Sequence, residues 1–166
     1  NRVNFNKPIK MADNTAINIG SGLDLRLSHD GTDSTIRNYA GDLKIIASDD
    51  DKDIIFQSDD GSGGIETYFF LDGSGNTGNI PRTVFPDNSN LVFGTGNDLF
   101  IRHNTANSEI KNFTGDLILQ NNADDKDIIF QSDDGSGGVE TYLTIDGSAR
   151  TVNFGRHAFF PDGFEA

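Results

Sequence analysis

The sequence contains no cysteine. That absence excludes disulfide staples, thiolate metal sites and cysteine nucleophiles. Apolar side chains are scarce as well: 34% of residues are hydrophobic, against about 45–50% in an ordinary globular domain, a figure that also counts glycine. A chain this poor in Val, Leu and Ile builds a thin core, or completes its core with other chains. Glutamate is nearly missing, with 4 residues against 22 aspartates. Glutamate favours helices, whereas the short aspartate carboxylate favours turns and strand ends, so helices are not expected. Cations are outnumbered two to one and the net charge is −13. Such a surface repels phosphate backbones and anionic lipid heads, so neither nucleic acid nor a membrane is an expected partner. No basic-then-apolar leader and no long apolar run occurs, so neither a signal peptide nor a membrane span is expected. The first residue is Asn1, which points to a fragment or a processed product.

What the chain does contain is repetition. The stretch "DDKDIIFQSDDGSGG" occurs at Asp50–Gly64 and again, letter for letter, at Asp124–Gly138. Setting Ile17 against Leu91 aligns the two halves at a constant offset of 74, without a gap through Ser74 and Ser148. Gly20/Gly94, Asp24/Asp98, Leu25/Leu99, His29/His103, Ile36/Ile110 and Asn38/Asn112 are among the matched pairs. The frame extends outward: "ADN" at Ala12–Asn14 matches "PDN" at Pro86–Asn88 and then "PDG" at Pro161–Gly163. "VNF" likewise stands at Val3–Phe5 and at Val152–Phe154. The expected organisation is the end of a preceding repeat at 1–11, one repeat at 12–85, a second at 86–160 and the start of a further one at 161–166. An array of this kind reuses one structural unit, and an ungapped offset keeps its strands in register.

Within each repeat the apolar pattern has period two. Leu23, Leu25 and Leu27 alternate with Asp24, Arg26 and Ser28, and Ile54 and Phe56 with Ile55 and Gln57. These runs predict short strands. Turn signals such as "HDGTDS", "SDDGSGG" and "LDGSGN" recur about every ten residues, the spacing of an all-β architecture. The expectation is an all-β, repetitive fibrous structure whose strand edges and apolar faces are covered by neighbouring chains, a homotrimer. The alternative is a monomeric parallel β-solenoid, in which a 74-residue unit would make about three coils.

"GSGLDLRLSHDGTDSTIRNYAGDLKI", followed by "DKDIIFQSDDGSGGIETYFFLDG", resembles repeats in large structural proteins of marine bacteriophages, notably the tail-fibre-like proteins of cyanophages and pelagiphages. In that group a "GTGxDLxIxHDGxxSxIxxxxGDLxI" block leads into "DKDIIFQSDDGSGGxxTYLxLDGS"; both blocks stand twice here and cover nearly the whole chain. Departures are local: "HNTANS" at His103–Ser108 replaces "HDGTDS" and loses the Asp-Gly turn, and "TYFFLDG" is more aromatic. The resemblance implies a shaft segment of a virion fibre on the outside of the phage particle, assembled from three identical chains and in contact with other virion proteins. A repeat that itself binds host surface polysaccharide is the alternative.

Four motifs invite a chemical reading, each with a plainer one beside it. "DGSGG" at Asp60–Gly64 shares letters with the nucleophile turn of serine proteases, yet that chemistry needs a base and an orienting carboxylate brought from elsewhere in the chain. Ser62 and Ser136 instead sit in duplicated Gly-rich sequences suited to hairpin loops. "SDDDKD" at Ser48–Asp53 suggests a calcium loop, but Ile54 stands where the sixth-position glycine is required, and Ala123 replaces Asp49 in the second copy. Solvated turn carboxylates are expected there; a calcium-stabilised β-roll is the rival. His29 and His103 end equivalent strands and would converge on a threefold axis as metal ligands, or else bond to a strand neighbour. The Phe69-Phe70 and Phe159-Phe160 pairs are expected to pack in a core or between chains rather than to serve as sugar platforms. No pair of carboxylates stands out as a glycosidase would require. The expectation is therefore a protein that is not an enzyme, with no catalytic, cofactor or metal residue.

Overall fold

The computed structural model describes residues 5–75, 78 and 80–158. Every regular element among them is a strand. The chain divides into two compact units, Asn1–Leu91 with Arg102–Ser108, and Val92–Ile101 with Glu109–Ala166. The first contains β1 (Thr15–Ile19), β2 (Leu25–His29), β3 (Ser34–Asn38), β4 (Ile54–Asp59), β5 (Ile65–Asp72) and β6 (Arg82–Val84). The division passes through the strands β7 (Leu91–Phe93), β8 (Leu99–His103) and β9 (Ser108–Asn112). β10 (Ile128–Asp133), β11 (Val139–Asp146) and β12 (Thr151–Phe154) belong to the second unit.

The strands form four three-stranded sheets, each in sequence order: β1-β2-β3, β4-β5-β6, β7-β8-β9 and β10-β11-β12. The pairings of β1-β2-β3, β4-β5-β6 and β10-β11-β12 are all antiparallel. Within these three sheets consecutive strands therefore run antiparallel, unlike the parallel pairing of a β-solenoid. β2 to β5 and β8 to β11 start and end 74 residues apart.

Register explains how the period-two pattern is used. Across β1, β2 and β3, Ile17 faces Leu27 and Leu27 faces Ile36, while Asn18 faces Arg26 and Arg26 faces Arg37. Successive side chains point to opposite sides of a sheet, so one face is apolar and the other polar. Leu23 is a correction to the strand expected there. It precedes β2 with φ 61°, as its counterpart Asn97 has φ 57°. A left-handed backbone ends an alternating run whatever its side chain.

Among the described residues of the first unit no second layer of strands covers these faces. Within the first unit no strand of β1–β3 contacts a strand of β4–β6. Among the described residues no side chain, apolar or polar, is buried. The exposed apolar positions recur between repeats: Ile36 is 62% exposed and Ile110 58%, Ile65 69% and Val139 71%.

Candidate functional site

The verbatim stretch builds a hairpin. Ile54 pairs with Leu71, Ile55 with Phe70 and Phe56 with Phe69, and then the register slips so that Gln57 pairs with Thr67. Tyr68 is the extra residue of a β-bulge, a device that re-aims a side chain. Its hydroxyl donates to the Asp59 carbonyl at 3.1 Å, and Tyr142 repeats the bond to Asp133 at 3.0 Å. Below the bulge the Gln57 amide donates to the Thr67 hydroxyl, as Gln131 does to Thr141.

The loop itself is organised by one carboxylate. Asp60 Oδ1 accepts the Ser62 hydroxyl at 2.8 Å and the backbone N–H groups of Ser62 and Gly64 at 2.7 and 3.0 Å. Asp134 holds Ser136 and Gly138 with the same lengths. Gly61 and Gly63 take φ of 80° and 91°, which lets the loop close on that oxygen. The Ser62 hydroxyl, followed by the two N–H groups, lowers the Asp60 pKa; Asp134 is lowered in the same way by Ser136 and Gly138. Each serine hydroxyl therefore donates its hydrogen bond to a carboxylate two residues away within its own turn.

The Asp-rich approach to the hairpin is structural in the same sense. Asp53 Oδ1 accepts the Gly73 N–H, and Asp127 accepts that of Gly147. A Cβ on Gly73 would run into the Lys52 carbonyl oxygen, so glycine is required for the approach. Among the described residues no three His, Asp or Glu side chains gather in a group that could hold a metal ion. His29 Nδ1 lies 3.1 Å from the Ser34 hydroxyl, its partner across the β2–β3 pair, and His103 lies 3.2 Å from that of Ser108.

The turn after each histidine corrects a second expectation. Asp30 Oδ1 accepts the N–H groups of Thr32 and Asp33 at 2.9 and 2.8 Å. In the second repeat Asn104 Oδ1 accepts those of Ala106 and Asn107 at 3.3 and 2.8 Å. The turn of "HNTANS" is kept, with Thr105 at φ 72° where the first repeat has Gly31 at φ 103°.

Phe69 stacks on Phe56 with centroids 4.5 Å apart, and on Phe85 at 5.7 Å. Phe159-Phe160 and the Pro161–Gly163 signal lie outside the described residues.

Sequence reasoning missed one feature, on the polar face of β1–β3. Arg26 and Arg37 face one another, and the Arg37 guanidinium donates to the Tyr39 hydroxyl at 3.3 Å. The two guanidiniums, Arg37 foremost, lower the Tyr39 pKa. A hollow of about 540 Å³ opens there between Asn14, Asn18, Leu23, Arg26 and Tyr39. Neither arginine has a carboxylate partner among the described residues. At the matching rows of the second repeat stand Phe100, Lys111 and Phe113, whose rings lie 5.3 Å apart. The signal was present in the sequence as a cation-to-aromatic difference between otherwise matched positions. Compared with known proteins, the chain matches no family model, no curated protein and no solved structure.

Proposed function

We propose that the chain is a shaft segment of a trimeric phage virion fibre, a spacer that sets length and stiffness and holds a host-recognition tip away from the particle. One observation carries this reading: the sheets expose the same apolar positions in both repeats, and among the described residues no side chain is buried. Obligate interfaces resemble a domain core cut in half, so apolar sheet faces without a covering strand layer in their own unit suit association between chains. The polar Asp turns, which satisfy their own backbone groups, are suited to the solvent side of such a shaft. The reading has no enzymatic component, and the resemblance to tail-fibre-like repeats supplies the virion context. Light scattering or sedimentation equilibrium tests it: the expected mass is three times 18.0 kDa. A folded monomer at micromolar concentration refutes the trimer, and antibody labelling of particles confined to another component refutes the fibre.

A second reading, that the repeat binds host surface polysaccharide, draws on the hollow around Arg26 and Tyr39. Arg26, which has no carboxylate partner among the described residues, suits the acidic group of a sugar, with Asn14 and Asn18 near its hydroxyls. Titration with carboxylated and sulfated oligosaccharides tests it, with Arg26→Ala as the variant that abolishes binding.

A further inference from the structure

Between β3 and β4 lies a connection in which every residue from 39 to 52 is exposed, and between β9 and β10 the same holds from 113 to 126. Inside these stretches, 42–48 ("DLKIIAS") and 116–122 ("DLILQNN") have neither strand nor turn character. No backbone–backbone hydrogen bond joins either run to another described residue. Side chains do not replace the missing partners: the neighbouring Asn38 amide reaches only the carbonyls of Ala40 and Gly41, and Asn112 only those of Thr114 and Gly115.

Their composition is that of a strand rather than of a loop. Leu43, Ile45 and Ile46 in the first run, and Leu117, Ile118 and Leu119 in the second, are the residues that elsewhere in this chain pair into sheets. Ile45 and Leu119 are each 59% exposed. Proline and glycine, which punctuate the turns, are absent from both. Loops this long without structure are uncommon in compact domains. An apolar run whose backbone donors and acceptors find no partner among the described residues is a template for pairing with another strand.

We propose that 42–48 and 116–122 are the strands by which copies of this chain pair with one another, each run adding to an open sheet edge of a neighbouring copy. The occupant follows from spacing. A partner covering both runs must present strands at the same 74-residue interval and in the same register, and a second copy of this chain does so. Leu43 and Ile45 are 48% and 59% exposed, and Leu117 and Leu119 49% and 59%, so both runs leave apolar surface that pairing of copies would cover. The acidic turns do not oppose the contact, since the centres of the two runs, 43–47 and 117–121, contain no acidic residue. This inference rests on the trimer reading and names the backbone element that holds it.

The test is hydrogen exchange on the assembled wild-type chain. Amides of 43–47 and 117–121 are expected to exchange about 100-fold or more slowly than in an unfolded chain, as in paired strands. That protection should vanish on dilution below the assembly midpoint, while the β4–β5 hairpin amides keep theirs longer. A double Ile45→Pro/Leu119→Pro variant, which lacks two backbone donors, should assemble at least tenfold more weakly than Ile45→Val/Leu119→Val. A trimer in which these amides exchange freely overturns the proposal and leaves the trimer standing. A monomer overturns both, and protection that persists in a diluted monomer shows a partner within the chain and also overturns it.

Discussion

Thr105 and Gly31 occupy the same turn of the two repeats, with φ of 72° and 103°. A β-branched residue at positive φ crowds its Cβ against the backbone, a cost of roughly 1–2 kcal/mol. The Asn104 carboxamide compensates locally by accepting two N–H groups, which is how the turn persists without its glycine. Thr105→Gly removes the strain but returns conformational entropy to the unfolded chain, about 0.5–1 kcal/mol. The net gain is then about 0.5–1 kcal/mol per chain. For a chain of this size that corresponds to a rise in Tm of about 1–4 °C. Gly31→Thr is the reciprocal change and should lower Tm by at least as much, because it adds the strain and leaves Asp30 to hold the turn. Both variants are to be melted at one protein concentration by circular dichroism, since the Tm of an assembling chain depends on concentration. Thr105→Gly lowering Tm while Gly31→Thr leaves it unchanged would refute the strain argument.

Acid should loosen the hairpins. The carboxyls of Asp60 and Asp134 are lowered by the bonds they accept, so the stability they contribute is full above the unfolded value, about 3.9, and is lost as pH falls through their lower folded values. Amide exchange at Gly64 and Gly138 should therefore accelerate only below about pH 4, and an Asp60→Asn/Asp134→Asn variant should lose this dependence. Leu99→Asp places a carboxylate on the apolar face of β8; if that face is covered by other chains the cost is about several kcal/mol per chain. Sedimentation should then show dissociation, whereas Asp59→Asn, which keeps an acceptor for the Gly61 N–H, should sediment as wild type. Three chains of −13 repel one another, so Tm should rise with sodium chloride, most steeply below about 0.1 M; a steady fall would point to attractive ion pairs instead.

Much of the local structure was legible because it depends on neighbours in sequence. Asp-Asp-Gly-Ser-Gly-Gly closes on its own Asp60, and Ile17, Leu27 and Ile36 share a face because strand side chains alternate. The absence of helices followed from aspartate's preference for turns. Other features were decided only where strands meet. Leu23 fits the alternating pattern, yet the turn entering β2 places it at φ 61°. Tyr68 bulges because the upper and lower halves of β4 and β5 pair in different registers, a relation between strands that neither strand's own pattern contains. Asn104 rescues a turn whose glycine is gone, because an amide oxygen accepts the same N–H groups as a carboxylate. The hollow at Arg26 arises because Asn18 pairs with it across β1 and β2, and Tyr39, 13 positions on in the sequence, returns beside it after β3. Composition alone determined that the chain is short of core. Which apolar residues are left uncovered was decided by the tertiary structure, since exposure depends on what packs against a face, and none of the described residues buries these.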